Sequence, residues 1–181
     1  MGVARRERFV NPPRPRMMRQ DWITKLSARP SLKLASLQGR VVAVSRSLEK
    51  GIPKTNIPEG RLIEDCGLEN DAHAGSGHRQ LSLLALESIE KMRAAGADVH
   101  PGDFAENITT EGIQVEALPV GARLRVGDEV ELEITQIGKA CHKGCAIREL
   151  VGDCVMPREG VFARVIKGGL VRPGDAIKVV G

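Results

Sequence analysis

Aromatic side chains are almost missing from this sequence, which has no Tyr, one Trp and three Phe in 181 residues. A surface that carries single-stranded nucleic acid stacks successive bases on a row of rings, so nucleic acid is a poor partner for the body of this chain. Long uncharged apolar runs are also missing. Every candidate for a membrane span is interrupted by charge, and no apolar leader stands at the start, so the expected setting is cytoplasmic with no membrane crossing. Cysteines number four, namely Cys66, Cys141, Cys145 and Cys154. A cytosolic chain keeps thiols reduced, which makes them reactive or metal-binding groups rather than disulfide partners. What the chain does have is aliphatic bulk. Hydrophobic residues make up 41% of it, enough for one domain whose core is built from Val, Ile, Leu and Ala.

The net charge of +4 is unevenly spread. In residues 1–36 the basic side chains, from Arg5 to Lys33, face only Glu7 and Asp21. Pro12, Pro13 and Pro15 interrupt any helix there, so 1–36 reads as a basic, flexible extension and 37–181 as the domain. From Gly39 onward the punctuation changes to short apolar runs between glycine turns. Arg40–Val44, Arg61–Glu64, Leu81–Leu84, Ile108–Thr110, Arg123–Val126, Val161–Ile166 and Ala176–Val180 read as strands. Val130, Leu132 and Ile134 alternate with Glu129, Glu131 and Glu133, the period of a strand with one buried and one solvated face. The spacing of Leu83, Leu86, Ile89 and Met92 predicts one helix, stopped at Gly96. The fold class is therefore mainly β (α+β), a barrel or sandwich with short helices, and not a doubly wound nucleotide fold.

Three clusters carry candidate chemistry. The first runs from Gly67 to Gln80 and holds Asp71, His73, His78 and Arg79 among glycines that let a backbone approach a ligand. Arg79 can grip a phosphate through two parallel hydrogen bonds, and Gln80 both donates and accepts. The second is Phe104 to Gly112, where Glu106 and Asn107 are hydrogen-bonding groups at a strand start. The third runs from Gln136 to Cys145 and on to Cys154. Lys139, His142 and Lys143 favour thiolate over thiol there, and three cysteines with a histidine would also suffice for tetrahedral zinc.

In this order, the three clusters resemble the MOSC domain, the module named for the C-terminal part of molybdenum cofactor sulfurase. The resembling stretch runs from about Gly39 to Val180. Its markers are the Asp-x-His-x-Gly loop leading into Arg79-Gln80-Leu81-Ser82-Leu83-Leu84, then Glu106-Asn107-Ile108, Thr135-Gln136-Ile137-Gly138, Gly160 to Val165, and Gly174-Asp175. The resemblance implies a β-barrel of the kind shared with the barrel domain of pyruvate kinase. It also implies a cysteine that carries sulfur as a persulfide or ligates molybdenum held by molybdopterin. Amidoxime-reducing relatives separate their cysteines by two residues. Here His142, Lys143 and Gly144 separate Cys141 from Cys145, so the functional, metal-ligating thiolate corresponds to either one.

On that reading Arg79 and Gln80 contact the pterin phosphate and Asn107 and Thr135 help hold the pterin. Asp71, His73, Ser82 and Arg164 complete the cofactor-binding candidates. The expected function is cofactor binding or sulfur carriage, with a cysteine desulfurase or similar sulfur donor as partner. The alternatives are a molybdenum-dependent reductase of N-hydroxylated compounds, served by electron-transfer proteins, and a structural zinc protein.

Overall fold

The computed structural model describes residues 37–140 and 154–180, so the expected tail, 1–36, and the expected thiolates Cys141 and Cys145 lie outside the described residues. Alternation builds the wall of the domain. Strand β8 (Val130–Ile137) buries Val130, Leu132 and Ile134 completely and leaves Glu131 and Glu133 partly open, as a period of two requires. Strand β9 (Val161–Lys167) likewise buries Val161, Ala163 and Val165 and exposes Arg164.

Seven strands close into a barrel. Their order is β11 (Ala176–Val180), β7 (Arg123–Val126), β8, β9, β5 (Leu81–Ala85), β6 (Ile108–Glu111) and β1 (Gln38–Arg46). The ring closes where β1 pairs back to β11, Gln38 opposite Lys178. β2 (Thr55–Ile57) pairs with β1 outside the ring, and β10 (Gly169–Val171), β3 (Gly60–Ile63) and β4 (Gly67–Leu68) form a separate small sheet. Each antiparallel neighbour reverses direction, so a ring with an odd number of strands cannot be antiparallel throughout. The parallel pair is β5 with β6, Leu83 beside Ile108. There the chain crosses over through helix α1 (Leu86–Ala94), as parallel neighbours require.

Two apolar clusters hold this frame. Val44, Leu83, Ile108, Leu124, Leu132, Ile134, Val161 and Ile177 belong to the cluster that fills the barrel. Each fully buried aliphatic side chain of this size contributes about 1.5–3 kcal/mol of transfer free energy. The second cluster lies on the outside of the wall. Leu84 and Phe162, which alternate with inward residues, pack there with Ile89 and Met92 of α1, Phe104, Cys154, and Met156 of the short helix α2 (Met156–Glu159). Gly138 lets the end of β8 pass against α2. Its φ is +66°, and a Cβ there would lie 2.3 Å from the Pro157 carbonyl oxygen.

Some elements differ from the sequence expectation. The helix begins at Leu86, because Leu83, which fits the helical spacing, faces the barrel interior from β5. β9 runs one residue past the expected Ile166, and Gly168 alone separates it from β10, which opens at Gly169. β2, β4 and β10 are two or three residues long, too short to show a period.

Candidate functional site

The outward-facing residues of five adjacent strands meet in one strip under the loops. Ser45 lies one residue before the end of β1, Asn107 precedes β6, Ser82 lies on β5, Phe162 stands opposite Ser82 on β9, and Gln136 stands opposite Phe162 on β8. Most of this strip is tied to itself. The Asn107 Oδ1 accepts the Ser82 backbone N–H at 3.1 Å and the Ser82 hydroxyl at 3.0 Å, while its Nδ2 donates to the Ser45 carbonyl at 3.2 Å. Gln80 is buried, and its Oε1 accepts the Val165 N–H at 2.9 Å. Satisfying buried polar groups in this way is what allows them under the loops at all.

Thr135 sits at a break in register between Ile134 and Gln136, the position of a bulge that re-aims a strand. Its hydroxyl reaches the carbonyl oxygens of His78 and, at 3.1 Å, Phe162. His78 Nε2 lies 3.1 Å from the Gln136 Oε1. The bulge thus pins the end of the glycine loop onto β8. The start of that loop is pinned by a buried ion pair that the sequence did not disclose. Lys54 Nζ donates to both oxygens of Asp71, at 2.7 and 2.6 Å, with each side chain only 1% exposed. Asp71 also accepts the N–H groups of Ser47 (3.1 Å) and His73 (3.0 Å). Burial opposes its charge, but the His73 and Lys54 hydrogen bonds and the Lys54 ammonium outweigh that and hold the carboxyl far below the usual range.

Between the two pins, Arg79 is exposed and its guanidinium lies 5.7 Å from the centre of the Phe162 ring. Lys139, one residue past the Gly138 bend, places its ammonium 5.8 Å from the same centre. Two cations over one ring exploit its negative face. Among the described residues neither is paired with a carboxylate, and two such cations suit an anionic ligand. The half-exposed His73 imidazole stands at the loop start with its Nδ1 3.6 Å from Asp71.

The sequence candidates therefore separate. Arg79 and His73 present their side chains outward, and Thr135 holds the loop that carries Arg79. Asp71, Ser82 and Asn107 spend their polar atoms on the protein itself, as does the Oε1 of Gln80. Arg164 stands two residues beyond Phe162 on the same outer face of β9 and pairs there with Glu133 at 3.1 Å. Cys154 is buried in the outer cluster beside Phe162. Among the described residues no group of three His, Cys, Asp or Glu side chains stands close enough to hold a metal ion. Nor, among them, is any helix long and apolar enough to cross a membrane.

Among the described residues, Glu106 is the other buried charged residue. It is 0% exposed, and its Oε1 accepts the Gly102 N–H at 2.7 Å and the Thr109 hydroxyl at 2.8 Å. Among the described residues its Oε2 has no hydrogen-bond partner. Burial, not fully offset by these bonds, pushes its pKa up.

The same frame occurs in known structures. The YuaD protein from Bacillus subtilis matches with a TM-score of 0.66 at 16% identity, over 78% of this chain and 95% of that one. YiiM from Escherichia coli matches with a TM-score of 0.58 at 21% identity, over 80% of this chain and 70% of that one. YiiM from Geobacillus stearothermophilus gives 0.55 at 18% identity, over 79% and 73%. At these identities the likeness is one of fold. No curated protein matches the chain. The family model for the MOSC domain matches residues 70–178, from the glycine loop through the closing strand of the barrel, and the chain belongs to that family.

Proposed function

We propose that the groove over Phe162 takes the anionic end of a molybdopterin-type cofactor, and that a thiolate of Cys141 or Cys145 acts beside it. The MOSC family is associated with molybdenum cofactor binding. The observation that carries the reading is the pair Arg79 and Lys139, both over the Phe162 ring and neither paired with a carboxylate among the described residues. Two such cations fit a phosphate and the charge of a dithiolene. Cys141 follows Lys139 by two positions in the chain, and thiolate is a soft ligand suited to such a metal.

When bound, the cofactor would supply the redox or sulfur-accepting chemistry. The chain's own part is narrower. Arg79 and Lys139 bind and orient the anion, and the Thr135 bulge and the Lys54–Asp71 pair fix the loop that carries Arg79. Lys139, His142 and Lys143 stand next to these cysteines in the chain, a cationic setting of the kind that favours thiolate. As a sulfur carrier, that thiolate attacks the terminal sulfur of a donor persulfide. The donor S–S bond breaks, a new one forms on the protein, and the donor leaves as a thiolate. As a reductase of N-hydroxylated compounds, the same site would draw electrons from partner proteins.

The test is elemental analysis of the full chain from a host that makes molybdopterin, beside Arg79→Ala, Cys141→Ala and Cys145→Ala. The expected result is molybdenum in the parent, reduced loading in Arg79→Ala, and loss from one cysteine variant. Cyanide-labile sulfur without molybdenum selects the persulfide carrier. Zinc lost from both cysteine variants would overturn the reading in favour of a structural metal.

A further inference from the structure

Three loops at the rim of the groove are locked by one buried chain of hydrogen bonds that ends on Glu106. The loop after β1 contributes Lys54, whose N–H donates to the Gly102 carbonyl at 2.8 Å. The Gly102 N–H donates in turn to the Glu106 Oε1 at 2.7 Å. The Lys54 ammonium then bonds Asp71 of the glycine loop, and Asp71 receives the N–H of His73. The Ala72 N–H also donates back to the Ser47 carbonyl at 2.8 Å. There is no slack at the junction. Gly102 has φ +99°, and a Cβ on it would lie 2.3 Å from the Lys54 carbonyl oxygen.

Glu106 is the one acidic group in this chain of bonds without a cation of its own. The nearby Lys54 has its ammonium committed to both oxygens of Asp71. Asp103, on the same loop as Glu106 and with His100 3.8 Å from it, repels a charge there. Lys139 from the end of β8 acts on Lys54, and His73 on Asp71. With the loops closed, an ionised Glu106 would leave Oε2 as a buried charged oxygen with no donor, a costly arrangement. Opening the loops would hydrate it.

We propose that Glu106 is a proton-dependent latch on the groove, keeping the three rim loops closed while it is protonated and releasing them when it ionises. The latch works on the rim whatever ligand the groove takes, so it does not rest on the molybdopterin reading.

Linkage fixes the direction. While both states hold the proton, opening is independent of pH. Between the ordinary carboxyl value of 4.5 and the raised value of the closed state, the opening constant rises by up to about tenfold per pH unit, then levels. The experiment is amide hydrogen exchange on the full chain, divided by intrinsic rates, across this range for the parent and Glu106→Gln. The Gly102, Lys54 and His73 amides are expected to open increasingly with pH in the parent and to be flat in Glu106→Gln. The Ile134 and Val165 amides of the barrel should stay far better protected than these rim amides throughout the range. A parent without that slope, or a variant that keeps it, would overturn the latch. Direct carboxyl titration of Glu106 in the parent by carbon NMR does not depend on the variant folding. A value above 4.5 supports the latch, and one at or below it sinks the proposal.

Discussion

On β5, Leu83 and Ser82 are neighbours in the chain and sit on opposite faces of the wall. Leu83 meets the apolar interior on every side, whereas Ser82 meets Asn107 through its backbone N–H and its hydroxyl. Inside, one aliphatic side chain can stand in for another of similar volume, because dispersion and the hydrophobic effect have no direction. Outside, under the loops, each polar atom has a particular partner, and removing it leaves that partner unmatched. Stability is therefore spread evenly within the barrel and concentrated in a few residues beneath the groove.

The hardest way to break that contrast is at Lys54. Replacing it with Met keeps most of the volume and leaves Asp71 buried without its cation, a loss of about 3–5 kcal/mol in urea unfolding. Replacing Asp71 with Leu in the same chain should recover much of the loss, because the uncompensated charge is then gone. If the double variant were as unstable as the single one, the pair would be holding the loops by geometry that no apolar contact reproduces. Within the barrel, Leu132→Ala is expected to cost about 3 kcal/mol, the transfer term plus a partly relaxed cavity. Ser82→Ala, a smaller change on the other face, is expected to cost about 1–2 kcal/mol, because Asn107 keeps the Ser82 backbone N–H but loses the hydroxyl. Urea midpoints for both variants check that order.

The same contrast decides what the sequence could tell. β8 was legible because Val130, Leu132 and Ile134 alternate with glutamates, and that alternation is a direct consequence of an inner and an outer face. Asn107, Gln80 and Thr135 stood out as polar residues beside apolar runs. Whether such a group turns to a ligand or to a neighbouring strand is set by register, which no local pattern encodes. Lys54 left no trace at all. It lies between Pro53 and Thr55 in a loop rich in ordinary turn residues, and only the approach of Asp71, 17 positions away, makes it an interior residue. Arg79 was legible for a different reason, since a planar cation among glycines has the same meaning in most folds. Its second cation, Lys139, was read as a neighbour of the thiols, and the ring that joins the two was not foreseen.

The two buried carboxyls sharpen the comparison through pH. Asp71 titrates far below its unfolded value, 3.8, so as pH falls through and below 3.8 the unfolded chain takes up a proton that the folded chain refuses. The stability it contributes is complete above that range and is lost on acidification. Glu106 is shifted the other way. Above 4.5 the unfolded chain releases a proton that the folded chain keeps, so stability falls as pH rises towards the raised value. Urea unfolding across pH should show Asp71→Asn flattening the acid limb and Glu106→Gln flattening the decline above 4.5. A single flattening shared by both variants would mean that the two carboxyls titrate as one unit through Lys54.

The smallest effect belongs to a polar surface that resembles the groove only in composition. Arg123, Glu133 and Arg164 lie side by side across β7, β8 and β9, with Glu133 3.6 Å from Arg123 and 3.1 Å from Arg164. These are charge pairs on an open wall, where water and salt screen the attraction and long side chains give up freedom to make it. Arg164→Ala is expected to cost less than about 1 kcal/mol, and the cost should shrink further in 1 M salt. Its effect on metal loading should be small beside that of Arg79→Ala, since Arg164 already has Glu133. Equal losses from the two variants would instead extend the ligand along β9 from Phe162 to Arg164, and the contrast between a paired surface and an unpaired groove would no longer locate the site.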